Sequence, residues 1–83
     1  PNPFNPTTMM SFSLSGEADV ELSIHDVSGR HVATLASDSF PAGRHAVVWD
    51  GRAQGATSVA SGVYFCRLLV GDEAMTVKMI LLK

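Results

Sequence analysis

Apolar and polar positions alternate along most of this chain. Met10, Phe12 and Leu14 share one parity, with Ser11 and Ser13 on the other. Val20, Leu22 and Ile24 alternate with Glu21, Ser23 and His25, the clearest period-two segment. Such alternation predicts half-buried strands, with His25 facing outward. Asp26-Val27-Ser28-Gly29 supplies turn chemistry, because Asp and Ser bond to nearby backbone and Gly29 accepts a positive φ. A hairpin into a strand over residues 30–36 follows. Ser37–Gly43 carries Pro41 and Gly43 and reads as a loop with Phe40 tucked beneath it. Residues 44–50 form another strand. Val47 and Trp49 are its favoured inward positions, although Ala46 and Val48 offer a competing register.

Residues 51–62 are rich in Gly and small polar residues and make the longest connection, with a short edge pairing expected over 58–60. Gly62–Val70 is strongly β-forming. Gly71-Asp72 has the Gly-X form of a II′ turn, and residues 73–82 return as the last strand. Both final strands are apolar on both faces. That places them centrally in a sheet or beneath another chain. No stretch of ten residues sustains the i, i+3, i+4 apolar pattern of a helix. The pattern therefore predicts an all-β fold: an antiparallel, immunoglobulin-like β-sandwich of six or seven strands with no long helix. Its expected core is Phe12, Leu22, Ile24, Val47, Trp49, Tyr64 and Leu68.

Pro1, Pro3 and Pro6 precede this pattern. Each fixes φ and lacks a donor, so residues 1–7 read as a Pro-rich linker or arm and residues 8–83 as the domain. The chain opens on Pro with no signal-like apolar stretch, which suggests a piece of a longer protein. Eighty-three residues, 46% hydrophobic, suit one small domain. A net charge of −2 argues against a nucleic-acid partner. No apolar run exceeds four residues, far short of a transmembrane helix. Only 17% of residues are charged, which leaves an uncharged surface suited to contact with another protein.

Chemistry-bearing residues are sparse. His25 and His31 flank the first hairpin, but no third ligand has motif spacing with them or with His45. His25, Asp26 and Ser28 contain the residue types of a hydrolase triad, yet sit together at a turn without a nucleophile elbow. Cys66 is the single cysteine. It lies among apolar strand residues and reads as a small hydrophobe. The acidic turns at Asp50-Gly51 and Gly71-Asp72-Glu73 lack a calcium-loop pattern. Phe65, Leu69 and Val70 offer either core packing or a partner-facing strip. No cofactor, metal site or catalytic residue is expected.

Several stretches resemble a known family. Pro1-Asn2-Pro3-Phe4-Asn5-Pro6-Thr7-Thr8 resembles the opening of the C-terminal sorting domains of type IX secretion cargo. Ile24-His25-Asp26-Val27-Ser28-Gly29-Arg30-His31-Val32 is similar to their I-Y-D-x-x-G-R-x-V hairpin, with His25 at the usual aromatic. Ala42-Gly43-Arg44-His45 with Val47-Val48-Trp49-Asp50-Gly51-Arg52, then Ala60-Ser61-Gly62-Val63-Tyr64-Phe65 and Lys78–Lys83, continue the series. Cys66 departs from a common aromatic, and residues 53–58 lack the family's acidic turn. The Trp-Asp-Gly and Ser-Gly-Val-Tyr pieces are shared with the Ig-like domain of the flagellar hook-cap protein FlgD. The resemblance implies a non-catalytic C-terminal module of a secreted or cell-surface bacterial protein, acting as a sorting and surface-attachment signal. Gly62, Tyr64, Lys78 and Lys83 would be its recognition residues. It implies an extracellular or outer-surface location reached through the periplasm. The partners would be secretion machinery or neighbouring subunits. The alternative is a self-associating, homo-oligomeric subunit of an extracellular or hook-cap-like assembly, joined through edge strands and the N-terminal arm.

Overall fold

The computed structural model describes residues 8–54 and 57–83. The Pro-rich arm at 1–7 lies outside the described residues, as do two positions of the 51–62 connection. Six strands are present: β1 (Thr8–Leu14), β2 (Ala18–Asp26), β3 (His31–Phe40), β4 (Gly43–Trp49), β5 (Gly62–Val70) and β6 (Glu73–Leu81). They form two antiparallel sheets, β1-β4 and β3-β2-β5-β6. The fold is an all-β, immunoglobulin-like sandwich, and no helix occurs among the described residues.

The inner faces follow the alternation. Phe12, Val20, Leu22, Ile24, Ala33, Trp49, Tyr64, Cys66 and Leu81 are buried. Val47 and Leu68 are half-buried and pack against this cluster. Ala46 and Val48 are exposed, so β4 adopts the register with Val47 and Trp49 inward. Removing a side chain such as Ile24 from water contributes about 1.5–3 kcal/mol. At the far end Phe12 meets Phe40 edge to face, with ring centroids 5.5 Å apart.

Three expectations change. Ser37–Phe40 is strand rather than loop: Ala18, Asp19, Val20 and Glu21 pair with Phe40, Ser39, Asp38 and Ser37. The first half of β2 needs a ladder partner, and that demand overrides the weak β-propensity of Ser and Asp. The loop shrinks to Pro41 and Ala42. Ser23 is buried instead of facing out, although Val20, Leu22 and Ile24 keep their inward parity: it lies in the middle of the sheet between Thr34 of β3 and Arg67 of β5, while the extra residues at the two register shifts, Leu35 and Val32, belong to β3. The Ser23 Oγ shares a 2.9 Å hydrogen bond with His25 Nε2, so its burial leaves no unmet polar group. His25 itself is half-buried. Finally, β5 is central but β6 is not. It pairs with β5 alone and forms the edge of the larger sheet.

The 51–62 connection is tied down at several points. Arg52 and Ser58 form an isolated antiparallel bridge, and Val59 N–H donates to Gly51 O at 3.2 Å. Gln54 lies along the free side of β3. Its N–H donates to Val32 O at 2.9 Å, and its Oε1 accepts from Thr34 N–H at 2.7 Å.

Candidate interaction surface

The hairpin joining β2 to β3 is built on Asp26. Its Oδ1 accepts from Ser28 N–H (2.9 Å), Ser28 Oγ–H (2.7 Å) and Arg30 N–H (2.9 Å). Arg30 Nε lies 3.3 Å from Oδ2. The Ser28 hydroxyl, then the Arg30 amide, hold the Asp26 carboxyl below its ordinary value. Ser28 is thereby committed to the aspartate rather than to an imidazole, and no catalytic relay forms. His25 and His31 do come together, with ring centroids 5.6 Å apart. His45 is elsewhere, bonded to Pro41 O at 2.8 Å. Among the described residues, no three His, Cys, Asp or Glu side chains gather as a metal would require.

At the opposite end of β4 the Trp-Asp-Gly-Arg stretch has a structural purpose. Trp49 is buried and its Nε1–H donates to Arg52 O at 2.9 Å. Asp50 Oδ1 accepts from Arg52 N–H at 3.1 Å. Tyr64 packs edge to face on Trp49, centroids 5.3 Å apart, and its hydroxyl donates to Ala60 O at 2.7 Å. This is the corner that immunoglobulin-like sandwiches use to fix a strand's approach. Gly62 opens β5 at φ 157°, a region that side-chain-bearing residues avoid. Lys83 N–H donates to Ser61 Oγ at 3.0 Å, and its Nζ reaches Ser58 Oγ. Gly62, Tyr64 and Lys83 thus converge at one end of the sandwich. Lys78 does not join them. It stands exposed within β6, paired across the ladder with Phe65.

Of the strip on β5, Phe65, Leu69 and Val70 are all half-buried. The larger exposed apolar surface lies one strand further out. Met75, Val77, Ile80 and Leu82 are 62%, 56%, 63% and 75% exposed. They account for four of the seven large hydrophobic side chains that stand exposed. A groove of about 340 Å³ runs between β1 and β6, lined by Met10, Phe12, Leu68, Met75, Val77 and Met79. Cys66 also lines it. Burial pushes the Cys66 thiol up, which keeps it protonated and unreactive. A wider, shallower depression of about 680 Å³ lies at the end holding the β5–β6 turn, rimmed by Asp19, Glu21, Asp38 and Asp72. Sequence reasoning missed the groove, because it forms only where the two-stranded sheet stops short of β6.

The family model described as the FlgD Ig-like domain matches residues 2–68. The chain belongs to the FlgD Ig-like domain family. Its fold is also that of a solved structure, the crystal structure of FlgD from P. aeruginosa. The two agree with a TM-score of 0.73 over 93% of this chain at 19% identity, which speaks to fold alone. The chain covers 62% of that FlgD chain. No curated protein matches it. The family match ends within β5, so the FlgD-like part carries the Asp26 hairpin, Trp49 and Tyr64, whereas β6 lies beyond the matched residues.

Proposed function

We propose that this FlgD-like domain is a non-catalytic protein-interaction module that works outside the cytoplasm. The observation that carries the reading is the apolar surface on β6 and in the groove beside it. On the groove side Met75 and Val77 stand more than half exposed beside Met79, and an exposed apolar surface of this kind marks a contact with another protein. The finer reading is a sorting and surface-attachment signal for a secreted or cell-surface bacterial protein, recognised by secretion machinery. It is supported by the ordered series of motifs from Pro1 to Lys83, three of whose residues meet around Gly62. The location it implies is the cell surface or the medium, reached through the periplasm.

Fusing residues 1–83 to the C-terminus of a reporter in a host with type IX secretion tests this. The reporter reaches the surface or the medium. A reporter that stays periplasmic overturns the sorting role.

Family membership favours a second reading, a structural subunit of a hook-cap-like assembly. Deleting these 83 residues from their parent protein separates the two. Loss of export supports sorting, and normal export with failed assembly supports the structural role.

A further inference from the structure

We propose that β6 is a dimer interface at which two copies of this chain pair edge to edge and antiparallel, joining their four-stranded sheets into one continuous sheet. The inference goes beyond the export reading and stands whether or not the domain directs secretion.

The first ground is the state of the edge. An unpaired strand presents a row of free N–H and C=O groups, and proteins that stay monomeric blunt it with bulges, prolines, inward charges or a covering loop. β6 has almost none of these. Its register with β5 is unbroken from Glu73 to Leu81, and it contains no proline. Lys78 is the only basic residue within it. Among the described residues, no other strand lies beside it. Its inward-facing Met75 and Val77 remain more than half exposed because β1 stops short of covering them.

The second ground selects the occupant and its direction. Six of the eight acidic residues (Glu17, Asp19, Glu21, Asp38, Asp72 and Glu73) lie in the half of the sandwich that holds the β5–β6 turn. Of the six basic residues, Arg30, Arg52, Lys78 and Lys83 lie toward the other half, where Asp26 and Asp50 are each paired with an arginine; Arg67 stands near the middle of β5, and Arg44 alone joins the acidic end, which keeps a clear negative excess. The charge is therefore polarised along the strands. An antiparallel copy brings its basic end to the acidic end of the first, twice, by two-fold symmetry. A parallel copy would set acid against acid.

Full overlap of the nine-residue strand sets Glu73 opposite Leu81 of the second copy and Met75 opposite Met79. Val77 then faces Val77 on the axis. Asp72 and Glu73 come beside Leu82 and Lys83 of the second copy. The methionines and valines of the two grooves meet beneath the joined sheet. The arrangement is isologous and closes on itself, so both β6 edges are consumed.

Sedimentation of the 83-residue chain from micromolar to millimolar concentration tests this. The chain forms dimers, and Val77→Lys weakens them by about tenfold or more, since two lysines would face each other. Met75→Lys, at a still more exposed position, is the second variant; both keep the wild-type unfolding midpoint of the monomer. Glu73→Lys weakens association several-fold, and adding Lys83→Glu restores it. A chain that stays monomeric throughout overturns the proposal, including the case in which β6 binds only a foreign strand. Dimers equally tight in Val77→Lys and Met75→Lys, or a double charge exchange that fails to recover association, overturn it as well.

Discussion

The two edges of the four-stranded sheet, β3 and β6, have similar lengths and opposite treatment. β3 is irregular, with register shifts against β2 at two places. Gln54 covers part of its outer side with one backbone and one side-chain hydrogen bond. Its second half is Ser37-Asp38-Ser39, polar and exposed. β6 has an unbroken register, no covering segment among the described residues, and exposed apolar side chains on both faces, Met75 and Val77 on one and Ile80 on the other. Exposed backbone alone does not make an interface, since both strands have it. What differs is whether the protein spends residues on hiding it. The contrast leaves β6, on the side away from Gln54, as the open edge of the larger sheet among the described residues.

The largest effect should come from the core that both edges share. Trp49→Ala removes a buried ring, its contact with Tyr64 and the bond to Arg52 O. It should cost about 3–5 kcal/mol of stability in denaturant titration. A loss under about 1 kcal/mol would mean that β4 does not hold the two sheets together. Next is the covering of β3. Gln54→Ala leaves Thr34 N–H to water and should cost about 0.5–1 kcal/mol, while making β3 more prone to pair with other chains. If self-association is unchanged, Gln54 does not guard that edge.

The smallest effect concerns the hairpin that starts β3. Asp26 is held below its ordinary value of 3.8 in the folded chain. The stability it confers is therefore present above the unfolded value and is lost as pH falls through the folded one. Hydrogen exchange at Arg30 should quicken, relative to the intrinsic rate, as the pH drops below about 4. Asp26→Asn should lack that acid dependence. Unchanged behaviour in the variant would assign the transition to other carboxylates.

Much of the sandwich was legible in the alternation of β1, β2 and β4, because each has one face in the core and one in water. Ser23 and Ser37–Phe40 were not. Neighbouring strands on both sides can cover a residue on the outer face, as Thr34 and Arg67 flank Ser23, and a polar strand can be held entirely by its partner's backbone needs. For a related reason β6 lies at an edge rather than in the centre of its sheet, the centre being the first of the two places its pattern allowed. Residues apolar on both faces describe a strand covered on both sides, and they do not say by what. The turn residues of the Asp26 hairpin and the Trp49–Arg52 stretch were visible as motifs, and their bonds explain the residue types. Gln54 carried no signal, since a single amide in a long connection has no period. Lys78 and Lys83 looked alike in sequence, yet Lys83 is anchored to Ser58 and Ser61 whereas Lys78 stands out from β6.

Disulfide trapping at Val77 tests most directly that β6 is the open edge. Opposed residues of an antiparallel pair have Cα atoms about 4.5–5.5 Å apart, within disulfide reach. Cys66 is the cross-strand partner of Val77 on β5, so both cysteine variants are made in a Cys66→Ala background, where no disulfide can close within one chain. Val77→Cys should convert to covalent dimer under mild oxidation, and Ser39→Cys on β3 should not. A Val77→Cys chain that remains monomeric, or cross-links no faster than Ser39→Cys, would contradict the assignment of β6 as the edge at which this domain meets its own copy.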